Sequence, residues 1–311
     1  MNQLSMAAES AEEISTHRVR PWYRGVLFSV FRVALIAYAV VVVLLVAMEN
    51  RLVYMPPTHR DSRAEAKSLG AEEVWFQADD GTKLHGWLFP RENAKHAIVY
   101  FHGNGEDADH NLEWAAELRD RLQATVFVFD YRGYGHSEGH PYETGVISDG
   151  IAAQRWLADR LKLDTADIVL YGRSLGGGVA VAAAEQLGAR AIIAHGTFAN
   201  MVDVAAAQYA FVPVRALMRN SFLSEQRISH YSGPLLQIHG THDTIVPIKF
   251  ARPLYEAAPG KIKRFVEIAD GEHNDPLPEF CYGVLAEFLD SLPALPSAEK
   301  PATGNPIEAR P

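Results

Sequence analysis

Three side chains of this sequence can act together as a nucleophile and its proton relay. Ser174 lies in Gly172-Arg173-Ser174-Leu175-Gly176, which runs on into Gly177 and Gly178. An apolar β-like run, 167–171, precedes it, and a small-residue helical run, 179–187, follows it. A serine on such a strand-to-helix turn exposes its hydroxyl at a helix N-terminus, where developing negative charge is stabilised. A serine hydroxyl becomes nucleophilic when a histidine takes its proton and an acid orients that histidine. Asp243 follows an apolar run in HGTHDTIVP, and His273 follows another in Gly271-Glu272-His273-Asn274-Asp275. The order Ser, Asp, His is that of nucleophile-elbow enzymes.

Other residues compete for these roles. His195, His239 and His242 also lie near strand ends, and Asp270 and Asp275 flank His273. His239 falls inside its strand and reads as a core histidine. His242 is adjacent to Asp243 in a tight loop, and Asp275 reads equally as a helix N-cap. A tetrahedral intermediate also needs two backbone N–H donors. Leu175, next to the nucleophile, supplies one. Asn104, in the loop Phe101-His102-Gly103-Asn104-Gly105 after a strand, supplies the other through its main chain. His102 reads as a loop-stabilising side chain.

These loops require a scaffold that brings strand ends together. Apolar runs at 97–101, 125–130, 167–171, 191–195, 234–239 and 263–268 alternate with helical runs near 108–123, 145–162, 175–188, 248–258 and 276–291. Continuous apolar runs imply strands buried on both faces, as in a mostly parallel sheet flanked by helices with right-handed crossovers. Asp79-Asp80-Gly81, between runs at 73–78 and 83–89, predicts an antiparallel hairpin on one edge. Segment 198–232, with Pro213 in its middle, is expected to be a small helical cap, a kinked crossover helix, or both.

The amino-terminal part differs in character. Residues 26–48 read VLFSVFRVALIAYAVVVVLLVAM, with Arg32 the single charge. As a helix this stretch reaches roughly 34 Å, enough for a hydrocarbon layer of ~30 Å, and predicts a single transmembrane span. Trp22 and Tyr23 on one side and Tyr54 on the other are expected as interfacial anchors. Residues 1–25 read as a flexible leader, 49–70 as a polar connector, 71–292 as the catalytic domain and 293–311 as a disordered tail. Arginines are nearly balanced across the span; the membrane-proximal ones before it tilt the expectation towards an extracytoplasmic catalytic domain.

Composition excludes several classes. The net charge of −9, without a basic stripe, argues against a nucleic-acid partner. The single cysteine, Cys281, cannot form an internal disulfide and reads as a packed thiol in a helix. His239, His242 and Asp243 lack the further ligands of a metal site, so neither a metal nor a cofactor is expected.

The motifs HGNG, DYRGYGHSEG at 130–139, GRSLGGG, HGTHDTIVP and GEHND, in this order, resemble the membrane-anchored α/β-hydrolase group. That group includes eukaryotic lysophospholipases, protein depalmitoylases and bacterial esterase-like relatives, and the resemblance spans roughly residues 50–291. It implies an α/β-hydrolase fold and a serine hydrolase of acyl esters or thioesters, with DYRGYG shaping the site. The apolar segments favour lipid-like acyl substrates, and an aminopeptidase-like peptidase is the alternative. Glu106-Asp107-Ala108-Asp109 depart from the group, whose members often carry a second asparagine soon after HGN.

Overall fold

The computed structural model describes residues 22–58 and 60–295. The leader expected before residue 22 and the tail expected after 295 lie outside the described residues. Two units are present, one ending at Ala47 and the other beginning at Met48.

The first unit contributes helix α1, Trp22–Ala47, which starts four residues before the expected span and has no buried residue. Its most apolar window has a mean hydropathy of 2.8. It is the one described helix long and apolar enough to cross a membrane.

The second unit opens with two short helices, α2 at Glu49–Val53 and α3 at Arg63–Ser68, followed by strands β1 Glu72–Gln77, β2 Lys83–Phe89 and β3 His96–Phe101. Helix α4 (Leu112–Arg121), strand β4 (Ala124–Phe129), helix α5 (Glu143–Leu161), strand β5 (Val169–Arg173) and helix α6 (Leu175–Leu187) come next. After β6, Ala191–His195, come the short helices α7 Met201–Gln208, α8 Val214–Leu217 and α9 Ser224–Ile228. Strand β7 (Leu235–Gly240), helix α10 (Arg252–Ala257), strand β8 (Lys263–Ile268) and helix α11 (Glu279–Asp290) complete the unit.

The eight strands form one sheet in the order β1-β2-β4-β3-β5-β6-β7-β8. The β1–β2 hairpin pairs antiparallel at one edge, as Asp-Gly predicts; β2 also pairs antiparallel with β4, and strands β3 to β8 run parallel to one another. Every residue of β3, β4 and β7 is buried. Side chains alternate between faces along each strand. Ala97, Val99 and Phe101 of β3 therefore pack with Ile151 of α5 and Val179 of α6, whereas Ile98 and Tyr100 pack with Leu112 of α4 and Leu285 of α11. Cys281 is buried in that second layer.

One expectation is corrected. Tyr54, expected at a membrane interface, is 2% exposed, and its hydroxyl donates to Asn220 Oδ1 at 2.9 Å. The start of the polar connector is anchored: Glu49 is buried, and its carboxylate accepts from the N–H groups of Arg219 and Asn220. In segment 198–232, α7 ends at Gln208 and Pro213 is the N-cap of α8, so no single helix runs through the proline. Helix α9 packs on α6 in the manner of a crossover helix, while α7 and α8 pack on each other.

Candidate active site

Because β3, β5, β7 and β8 run parallel, the loops after them share one edge of the sheet. Three of those loops carry Ser174, Asp243 and His273. The Ser174 Oγ lies 3.0 Å from His273 Nε2, and His273 Nδ1 lies 2.7 Å from Asp243 Oδ2. An ionised carboxylate only accepts, so Nδ1 carries the proton and Nε2 turns its lone pair to the serine hydroxyl.

The turn that presents Ser174 is locally strained. Its φ of 50° and ψ of −118° lie where non-glycine residues are rarely found. The surroundings hold it there: the Ser174 N–H donates to His195 O at 2.9 Å, and its carbonyl accepts from Thr197 Oγ1 at 2.7 Å. Glycine is required beside it by close approach. A Cβ on Gly176 would collide with the Phe101 carbonyl oxygen, and one on Gly172 would meet the Gly176 carbonyl at 2.5 Å. The Leu175 N–H opens α6 and is one of four helix N–H groups with no acceptor inside the helix.

Asp243 is buried, and burial alone would raise its pKa. Hydrogen bonds from His239, from His273 and from the Val246 N–H outweigh burial and hold the carboxyl well below the usual carboxylate range. Its Oδ1 accepts from the N–H groups of Ile245 at 3.0 Å and Val246 at 2.7 Å. His239, read as a core histidine, is indeed fully buried and has its Nε2 2.8 Å from the Val246 carbonyl. A carbonyl can only accept, so Nε2 is protonated and also faces Asp243 at 3.3 Å.

The other competitors lie apart from this relay. His242 and Asp270 are exposed and pair with each other at 3.2 Å. Asp275 accepts from the Glu272 N–H inside its own turn. His195 is enclosed beside the Tyr171 hydroxyl, and burial pushes its pKa down to about 3. His102 is buried, with Nδ1 2.7 Å from the Gly103 carbonyl, and burial lowers its pKa too.

The departure at Glu106 acquires a local explanation. Its carboxylate pairs with the guanidinium of Arg173, accepts from Asn111 Nδ2 at 3.3 Å and accepts from the Gly103 N–H at 3.3 Å. Arg173 also donates to the His273 carbonyl at 3.2 Å and to Asn274 Oδ1 at 3.4 Å. One ion pair therefore joins the loop after β3, the Ser174 turn and the His273 loop. DYRGYG is a buttress rather than a plain turn. Arg132 pairs with buried Asp149 at 2.7 Å, Asp130 accepts from the Ala108 N–H at 2.8 Å, and the Tyr134 hydroxyl donates to Asn104 Oδ1 at 2.7 Å. The sequence alone points to neither the Glu106–Arg173 nor the Arg132–Asp149 pair, although the Glu106 departure and the DYRGYG motif each mark one partner. Among the described residues, no group of three or more His, Cys, Asp or Glu side chains is arranged to hold a metal ion.

Comparison with known proteins agrees with this architecture. A family model for the alpha/beta hydrolase fold matches residues 96–226. Over 246 residues the chain is 35% identical to the uncharacterized protein Rv2307c of Mycobacterium tuberculosis, covering 78% of this chain and 86% of that one. It is 32% identical to the alpha/beta hydrolase domain-containing protein WAV2 of Arabidopsis thaliana over 259 residues, or 75% and 84% of the two chains. Among solved structures, the Pyrococcus furiosus esterase Pf2001 superposes with a TM-score of 0.64 at 21% identity, covering 77% of this chain and 99% of the esterase. With its parallel sheet, strand-end loops and these relatives taken together, the chain belongs to the α/β-hydrolase family.

Proposed function

We propose that this protein is a serine hydrolase that cleaves carboxylic acyl esters or thioesters through an acyl-enzyme intermediate. The observation that carries the reading is the continuous relay from Ser174 Oγ through His273 to the Asp243 carboxylate. His273 Nε2 takes the Ser174 proton as Oγ attacks the acyl carbon, and the Asp243 carboxylate stabilises the resulting imidazolium. The backbone N–H groups of Leu175 and Asn104 receive the oxyanion, and α6 directs its N-terminus at the same charge. His273 then protonates the departing alcohol or thiol. A water molecule, deprotonated by the same imidazole, attacks the acyl-serine; collapse of the second tetrahedral intermediate releases the acid and restores the Ser174 hydroxyl.

The same reading makes α1 a membrane span, with segment 198–232 as the cap over the site and lipid-like acyl chains as the favoured substrates. The length and apolar character of α1 support the span. The apolar surface of the cap region supports the substrate class, since Tyr209 is 51% and Phe211 91% exposed.

The decisive experiment compares Ser174→Ala with the unaltered protein, both full length in detergent. Turnover of 4-nitrophenyl esters should fall by about 10⁶-fold, the scale of losing a triad nucleophile, and fluorophosphonate labelling should vanish. Labelling that survives the substitution refutes the assignment. Faster turnover of amino-acid anilides than of esters would instead favour a peptidase.

A further inference from the structure

The amide of Asn104 has three hydrogen-bond partners, and two of them are main-chain groups of one segment. Its Nδ2 donates to the Val53 carbonyl at 2.5 Å, and its Oδ1 accepts from the Met55 N–H at 3.0 Å. The third partner is the Tyr134 hydroxyl, which donates to Oδ1 at 2.7 Å. The carboxamide thus bonds the carbonyl and the N–H that flank Tyr54, as a neighbouring parallel strand would bond them. Among side chains of this length only an asparagine offers that acceptor and donor together. Aspartate lacks the donor and alanine lacks both.

The far end of the segment is held as firmly. Glu49 Oε1 accepts from the N–H groups of Arg219 and Asn220 and from Asn220 Nδ2, each at 2.8 Å. Its other oxygen meets the Arg219 guanidinium at 3.0 Å. Asn220 also donates to Asn50 Oδ1 at 2.9 Å and accepts from the buried Tyr54 hydroxyl at 2.9 Å. Residues 49–55 therefore run, pinned at both ends, from the loop after α8 to the loop after β3.

We propose that residues 49–55 are a strap that positions the oxyanion loop through the carboxamide of Asn104, making the chain next to α1 a working part of the hydrolase site. This inference rests on the hydrolase reading above and extends it. An oxyanion donor must be held within about 0.5 Å of its productive place. The loop after β3 has no strand or α-helix of its own at residues 102–108. On one flank it is fixed by the Gly103–Glu106 contact. On the other it is fixed by the strap. Asn104 carries two separable roles: its main-chain N–H faces the reaction, and its side chain is a positioning group.

The test uses the full-length protein in detergent, with a short-chain 4-nitrophenyl ester and active sites counted from the nitrophenolate burst. Asn104→Ala keeps the main-chain N–H and loses the tether. Its kcat per titrated site should fall about 10- to 100-fold with KM within twofold. Glu49→Ala, at the other end of the strap, should lower kcat in the same way. The double variant should be no slower than the slower single one, because both act through one strap. Amide hydrogen exchange in the peptide spanning 101–108 should rise in both variants, and thermal midpoints identify any variant that simply unfolds. If Asn104→Ala unfolds, Tyr54→Phe removes one of the strap's anchoring bonds, the one to Asn220, and should give an intermediate loss of kcat and protection.

Unchanged kcat in both single variants, multiplying losses in the double variant, or unchanged exchange at 101–108 overturns the strap. Failure of the hydrolase reading looks different: the unaltered protein then shows no turnover and no labelling that depends on Ser174, while the exchange measurement still decides the strap.

Discussion

Asp243 illustrates how one carboxylate can be both deeply buried and ionised. Burial works against its charge, and four donors around it work the other way: His239, His273 and the N–H groups of Ile245 and Val246. In the proposed mechanism that charge fixes the tautomer of His273. Asp243→Asn should keep the fold and lower kcat by roughly 10⁴-fold, because an amide can leave the imidazole proton on the wrong nitrogen. Measuring kcat with burst-titrated sites checks this, and a loss below tenfold would mean that another group orients His273. Ser174, Asp243 and His273 were legible in the sequence because each follows its own apolar strand by a few residues. Tyr54 was misjudged for the opposite reason. Its partner Asn220 stands 166 positions away, and a polar group reads as exposed until its distant partner is known.

At the level of elements, the Ser174 turn depends on what the strand and helix around it leave out. Gly172 and Gly176 allow β5 and α6 to approach the β3 carboxyl end closely enough to hold the serine at positive φ. Gly176→Ala forces a methyl group against the Phe101 carbonyl. It should destabilise the protein by about 1–3 kcal/mol, the usual range for overpacking, and lower kcat by shifting the Leu175 N–H. Chemical denaturation and ester turnover measured together check both parts; an unaltered midpoint would show that the turn can relax. Strand positions were readable within two residues at every boundary, since continuous apolar runs mark buried parallel strands. Segment 198–232 was less readable. Its α7, α8 and α9 are each under two and a half turns, too short for a helical period to declare itself, and their arrangement is set by contacts with α6 and with one another.

The whole molecule carries a pH dependence set by its enclosed imidazoles. Burial lowers the pKa of His96 to about 4 and that of His195 to about 3, against an unfolded value near 6.5. Below about pH 6.5 the unfolded chain binds protons that the folded chain refuses, so stability is fully present above that value and falls as pH drops towards 4. Each imidazole contributes a slope of at most about 1.4 kcal/mol per pH unit. Asp243 and Glu49, whose pKa values are lowered, add their own losses only below the ordinary carboxylate range. Thermal midpoints between pH 7 and 4.5 should therefore fall, and His96→Gln should flatten the slope. An identical slope in that variant would assign the effect elsewhere.

The two outermost strands of the sheet have a consequence for life at high density. Among the described residues, β1, EEVWFQ, and β8, KRFVEI, each have a strand partner on one side only. Both are studded with charge, and neighbouring helices supply counter-charges: Arg63 of α3 to Glu73, Arg252 of α10 to Glu267 and Glu287 of α11 to Arg264. A second copy adding its own strand there would have to strip water from those groups and break their pairs. Molecules gathered in a thin layer meet one another far more often than the same number dispersed in a volume. With both margins of the sheet armoured in this way, such crowding gives collisions without strand-to-strand adhesion.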